Sequence, residues 1–234
     1  MTTLPEPSIR DNSGRRLSPQ ASLGRFSSRL RLRERHPRPE EVWGALMEGN
    51  RRFVAGVHMF GNLPNLRAAL RFSQQPIAAV LGCSDSRVPP ELVFDQTLGG
   101  LFVVRSAGNV ADGIAVGSIE YAVEQLGTGV LVVLGHTRCG AVIAACSAQQ
   151  RRTRYLRTVL SRIAPAVRHA GALARGGEEL VEAVIRENIH RSACAMLAAS
   201  TALRGCVEAG ALTVIEAEYQ LDSGEVIRLD HPPG

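Results

Sequence analysis

Along the chain, short unbroken apolar runs alternate with longer stretches in which apolar residues recur every three or four positions. The unbroken runs cover residues 77–82, 101–104, 130–134 and 212–217. Runs of this length, rich in Val, Leu and Ile and without polar alternation, predict strands of a parallel sheet buried on both faces. The helical period predicts helices over 39–55, 66–73, 113–126, 140–148, 156–172 and 178–203. In the first, Pro-Glu-Glu places a ring without an amide donor, and two acids, at the positive end of the dipole. Val42, Leu46, Phe53 and Val54 make its apolar stripe. Ile114, Ile119, Ala122 and Val123 share one side of the third, which Gly127 caps. Gly56, Gly61 and Pro64 mark residues 56–65 as a loop, and Asp222-Ser223-Gly224 a turn before a short last strand at 225–229.

Strands alternating with helices specify an α/β fold. The expected architecture is a mostly parallel sheet of four strands plus a short antiparallel edge strand, with helices on both faces. No internal repeat or second boundary interrupts it, so residues 39–234 read as one domain. In open sheets of this kind ligands bind at the carboxyl ends of the strands. Cys83, Arg105 and His136 fall there.

Composition changes this picture at the N-terminus. The formal net charge is +5, but residues 1–38 hold nine Arg against Glu6, Asp11 and Glu34. That segment reads as a disordered Arg-rich tail. Two sharper readings compete: a short basic amphipathic helix over 23–32 docking on an acidic partner or anionic surface, and an organellar import signal. Nucleic-acid binding by the tail rests on charge alone, with no aromatic platform beside it. Only 4% of residues are aromatic, so aliphatic side chains must fill the core. The five cysteines, Cys83, Cys139, Cys146, Cys194 and Cys206, are odd in number and follow no apolar leader. A reducing compartment with thiols available to metal fits better than a disulfide scaffold. No apolar stretch reaches the length of a membrane span uninterrupted.

The candidate chemistry lies in Cys83-Ser84-Asp85-Ser86-Arg87 and His136-Thr137-Arg138-Cys139-Gly140. Residues two apart on an extended or turning segment face one side, so Cys83 and Asp85 can address one ion. His136 and Cys139 are spaced for a loop entering a helix. Two sulfurs, one nitrogen and one oxygen select zinc in a tetrahedral site. A lone Cys or His is more often ordinary packing; two pairs at strand ends of one sheet reverse that balance. Arg87 adds a choice. If Asp85 pairs with Arg87 instead of the ion, a coordination position opens for water, and zinc brings the pKa of that water toward 7.

Together with Gly100–Asn109 and Ile119-Glu120-Tyr121-Ala122-Val123, these two segments resemble the β-class carbonic anhydrases, over about residues 40–230. The resemblance implies a zinc lyase that interconverts carbon dioxide and bicarbonate. One Zn2+ per subunit would be held by Cys83, His136 and Cys139, with Asp85 as fourth ligand in a closed state. Asp85 and Arg87 would form the catalytic dyad, Asp85 accepting a hydrogen bond from zinc-bound water or hydroxide. In the pocket the resemblance places Gln74 on a substrate oxygen, Phe102 as the aromatic wall, Ala107 as the aliphatic wall with Gly108 beside it, and Tyr121 across a dimer interface. Two departures stand out. Ser106 replaces the usual Asn after Arg105. Val80 replaces the Trp that completes a bicarbonate-inhibition pocket in one subgroup, which speaks against that mechanism here. Cys146, Cys194 and Cys206 are expected on helix faces in the core. The implied assembly is a homodimer or dimer of dimers, with the first helix wrapping a partner. The expected location is cytoplasmic, with the tail recruiting the enzyme to a carboxysome-like assembly; organelle import is the alternative. Two other functions compete: hydrolysis of carbon disulfide or carbonyl sulfide at a similar site, and a silent recruiting protein.

Overall fold

The computed structural model describes residues 37–59, 63–147, 153–172 and 176–230. The expectations for the tail up to residue 36, and for Gly61 in the 56–65 loop, lie outside them.

The described residues form a five-stranded sheet in the order β2-β1-β3-β4-β5. β1 is Ala78–Cys83, β2 Leu101–Ser106, β3 Val130–His136, β4 Thr213–Tyr219 and β5 Val226–Arg228. The first four are mutually parallel, and β5 runs antiparallel to β4. The helices are α1 Pro39–Val54, α2 Leu63–Ala69, α3 Pro90–Val93, α4 Gly113–Glu124, α5 Gly140–Cys146, α6 Arg154–Gly171, α7 Gly177–Ala199 and α8 Thr201–Glu208. A 3-10 turn, Ala107–Asn109, follows β2.

Every residue of β1 and β3 is buried, as their unbroken apolar runs require. Alternate residues serve two cores. Ala79, Leu81, Leu131 and Val133 pack with Ile119, Ile163, Ile185, Ile189 and Met196 of α4, α6 and α7. Ala78, Val80, Val130, Val132 and Leu134 pack with Val42 and Leu46 of α1 and with Val93 and Phe94. Helices therefore cover both faces. From β1 the chain adds β2 on one side, then returns to add β3 on the other. The order reverses between β1 and β3, so a crevice opens at their carboxyl ends.

Several expectations need correction. The second helix begins at Leu63, because Pro64 is tolerated in a first turn where no amide bond is lost. The stretch 178–203 is two helices: Ser200 breaks it and caps α8, its hydroxyl accepting from the Leu203 amide at 3.0 Å. On α1, Val54 turns outward; the buried face is completed by Asn50, which donates to the carbonyls of Val93 and Gly224 and accepts from the Val226 amide. Ile114 is 81% exposed at the start of α4. Cys146 and Cys206 pack partly against the core, but Cys194 is exposed on α7, its sulfur 3.5 Å from His190 Nε2. α3 was not foreseen; Val88-Pro89-Pro90 starts it with proline at the first position.

Candidate metal centre

Cys83 ends β1, His136 ends β3, and Cys139 stands immediately before α5. These are the two strands that flank the crevice. Between His136 and Cys139 the chain turns tightly, with Arg138 in the left-handed region at φ 53°. One ligand atom from each of Cys83, His136 and Cys139 lies within 4.8 Å of the others, and all three residues are buried. The sulfurs are 3.9 Å apart and form no disulfide. Two sulfurs on zinc bonds of about 2.3 Å at the tetrahedral angle would stand about 3.8 Å apart, so the spacing fits.

The imidazole is oriented for the same purpose. His136 Nδ1 lies 2.9 Å from the Thr137 carbonyl, which can only accept, so the proton sits on Nδ1. Nε2 keeps its lone pair, is fully buried and has no hydrogen-bond partner among the described residues. An orphaned buried nitrogen is costly unless something else binds it. Beside two thiols, a soft or borderline cation answers that need, and zinc suits this donor set.

As bare thiols the sulfurs titrate as a pair. Cys83 is drawn below the ordinary thiol range, first by its hydrogen bond with Cys139, then by the amides of Asp85 and Gly108. Cys139 is pushed up by the same bond and by burial, against the pull of the Val142 and Ala141 amides. A bound cation would take the place of the shared proton.

Asp85 stands at the rim, its Oδ2 3.9 Å from His136 Nε2. Arg87 grips it with two prongs: Nε donates to Oδ1 at 2.9 Å and a terminal nitrogen to Oδ2 at 2.7 Å. The Arg87 amide adds a third bond to Oδ1. The guanidinium bond, with help from the amide, holds the Asp85 carboxyl well below the usual carboxylate range.

Two supports went unread in the sequence. Arg105 clamps the 83–85 turn from β2, donating to the Cys83 carbonyl at 2.8 Å and the Asp85 carbonyl at 2.6 Å. The Gly108 amide donates to Cys83 Sγ at 3.2 Å. Both are through-space bonds to backbone or sulfur, which no residue spacing announces. Ser106, in place of the expected Asn, closes its own loop by donating to the Val110 carbonyl.

The remaining pocket residues divide. Ala107 and Gly108 follow β2 directly and border the site. Gln74, Phe102 and Tyr121 do not join Cys83 within one protomer. Phe102 is level with Ala79 in the sheet, near the amino end of β1, and Gln74 precedes that end. The Phe102 and Tyr121 rings lie 6.1 Å apart, and Gln74 and Tyr121 line an open cleft of about 800 Å³ with Leu98 and Arg71.

A family model described as carbonic anhydrase matches residues 78–226. The chain is 42% identical over 198 residues to carbonic anhydrase 2 of Mycobacterium tuberculosis, covering 82% of this chain and 94% of that one. It is 38% identical over 199 residues to a carbonic anhydrase of Mycolicibacterium smegmatis, with the same coverages. Among solved structures, the β-carbonic anhydrase CcaA superposes with a TM-score of 0.66 at 29% identity, over 80% of this chain and 87% of that one. A tetrameric β-carbonic anhydrase of Sordaria macrospora does so with 0.63 at 25% identity, over 71% and 86%.

Proposed function

The chain belongs to the β-class carbonic anhydrases, enzymes that interconvert carbon dioxide and bicarbonate, and from that premise we propose how its residues divide the work. Cys83, His136 and Cys139 hold one zinc ion, Asp85 and Arg87 govern the remaining coordination position, and a second copy of the chain completes the substrate cleft. The observation that carries this reading is the buried Cys-His-Cys cluster with its orphaned His136 Nε2, facing a carboxylate already gripped by arginine.

Zinc, when bound, supplies a Lewis acid that brings the pKa of a water toward 7, as it does at the three-histidine site of other carbonic anhydrases. The protein's residues do the rest. His136 is locked in the tautomer that offers Nε2, by its bond to the Thr137 carbonyl. Arg87 keeps Asp85 ionised, so at the rim of the cluster Asp85 can accept a hydrogen bond and never donate one. It orients an O–H there and turns away ligands that arrive with a lone pair and no proton. Both Asp85 oxygens are occupied by Arg87 in this arrangement. Releasing that grip would free a carboxylate oxygen to close the site as a fourth donor. Ser84, Ser86 and Arg87 are exposed, which gives a proton leaving the site a short route to solvent.

Carbon dioxide is small and apolar, and needs a narrow apolar wall with few polar groups. Gln74, Phe102 and Tyr121 supply that chemistry, but from the far end of the strands. In a homo-oligomer, a form in which relatives of known structure occur, these residues of one protomer would line the zinc site of its partner. The Arg-rich segment 1–38 would dock the enzyme on an acidic protein, in the manner of a carboxysome-like assembly.

The test is zinc content measured beside stopped-flow carbon dioxide hydration, with sulfide release from carbon disulfide assayed in parallel. Cys83→Ala should lose both zinc and activity. A Cys83→Ala protein that retains stoichiometric zinc would sink the ligand assignment, and sulfide release outpacing hydration would reassign the substrate.

A further inference from the structure

Gly108 does two things at once. Its amide donates to Cys83 Sγ at 3.2 Å, and its carbonyl accepts from Asn188 Nδ2 at 2.8 Å. Asn188 is 2% exposed in the middle of α7, 80 residues along the chain. Gly108 itself sits at φ 72°, ψ 27°, a conformation open to glycine. A Cβ there would lie 2.8 Å from Ile163 Cδ1 and 3.1 Å from Ala141 Cβ, so the backbone is pressed against α6 and α5. Packing thus fixes one side of the residue and Asn188 ties down its carbonyl. What remains is the direction of the amide, and it points at the sulfur.

The next residue of α7 reaches the other half of the site. A Cβ on Gly135, immediately before His136, would meet Ile189 Cγ1 and Cδ1 at 2.5 Å. One turn of α7 therefore backs both the loop behind Cys83 and the strand end that carries His136.

We propose that Asn188 is the positioning residue of the metal centre: by holding the Gly108 carbonyl it aims the Gly108 amide at Cys83 Sγ and so sets how strongly that thiolate donates to the ion. The inference rests on the reading of Cys83 as a ligand. An amide pointed at a thiolate withdraws electron density from it, and outer partners of this kind orient and tune metal ligands. An apolar residue of the same size would leave the carbonyl unpaired, and the loop would relax away from the sulfur to find another donor.

The experiment loads the full-length protein with Co2+ and reads the thiolate-to-cobalt charge-transfer band, then the rate of metal loss to a chelator. The parent should show the band and Cys83→Ala should weaken or abolish it. In Asn188→Leu the band should move to lower energy, because the sulfur loses an N–H donor, and the metal should be lost roughly 10- to 100-fold more readily, because the relaxed loop no longer holds Cys83 in place. Asn50→Leu is the structural control: it removes an equally buried, hydrogen-bonded Asn far along the other face, and should lower the melting temperature with no movement of the band. Should Leu prevent folding, Asn188→Ser, which fits but is too short to reach the carbonyl, is read in the same way. An unmoved band and unchanged release rate in the folded variant overturn the inference, whatever happens to its stability. A parent without any thiolate band overturns the ligand reading and this inference with it.

Discussion

At the scale of single residues, the site is built from groups whose ionisation is settled by their neighbours. Asp85 is the clearest case. Its two oxygens receive both prongs of Arg87, a geometry that a lysine's single ammonium does not reproduce. Arg87→Lys keeps the charge and loses the fork. If the fork holds Asp85 in place, hydration should fall about 10-fold or more, with zinc still bound; unchanged turnover would mean that charge alone suffices. Asp85→Asn removes the obligate acceptor and should cost about 100-fold or more, again without loss of zinc, read by stopped flow and metal analysis together. Gly108→Ala makes a steric case. It combines a left-handed backbone with a Cβ only 2.8 Å from Ile163. Strain of about 1–3 kcal/mol plus that clash should lower the melting temperature by several degrees, and Ile163→Val in the same chain should recover part of it. The Cys83–His136–Cys139 cluster and the Asp85–Arg87 ion pair were legible in the sequence because their spacings are local and their residue types are chemically selective. The place of Arg105 at a strand end was legible, but its bonds to the 83–85 turn, the Gly108 amide and Asn188 were not: each acts through a backbone atom or a sulfur that the fold brings from far along the chain.

At the scale of elements, hydrophobic period identified the four parallel strands and most helices of the described residues, because continuous apolar runs and three-to-four spacing report burial directly, and the turn at Asp222-Ser223-Gly224 announced the fifth strand. It misjudged places where a polar residue decides. The apolar pattern ran through Ser200 without a break, and 178–203 read as one helix. In the structure Ser200 is 2% exposed, caps α8, and donates to Glu120 Oε1 of α4 at 2.5 Å. That hydroxyl starts one helix and ties it to another. Ser200→Ala removes the cap, worth about 1–2 kcal/mol, and leaves Glu120 without this donor. Denaturant unfolding should show a loss of at least that size, while Ser200→Thr, which keeps the oxygen, should retain most of the stability. Equal stability of the Ala variant would mean that the break is set by packing alone. Asn50 on α1 teaches the same point. It sits where the stripe called for an apolar residue, and it joins α1 to Val93, Gly224 and Val226 by three hydrogen bonds. Periodicity cannot distinguish a buried Asn that is satisfied from an exposed one.

At the scale of the whole molecule, the arrangement of Gln74, Phe102 and Tyr121 has a consequence for assembly. Parallel strands carry residues at their two ends to opposite edges of the sheet, so Cys83 at the end of β1 and Gln74 before its start cannot meet within a single chain. Sequence resemblance grouped them in one pocket, and a single fold separates them. Association of two copies would reconcile the two, with half of each cleft supplied by the other protomer. The exposed Ile114 and the half-exposed Tyr121 leave apolar surface on α4 for such a contact. This makes complementation possible between two inactive proteins. A Cys83→Ala chain lacks a metal ligand but still carries Gln74 and Tyr121. A chain with Gln74→Ala and Tyr121→Ala keeps its ligands but offers its partner a damaged wall. Each homodimer has two defective sites. Unfolded and refolded together at equal concentration, the two chains would form mixed dimers about half the time, each with one intact site, so activity should return to roughly a quarter of the parent value. If each chain completed its own cleft, no pairing of these two chains would generate an intact site, and the mixture would stay as inactive as its parts.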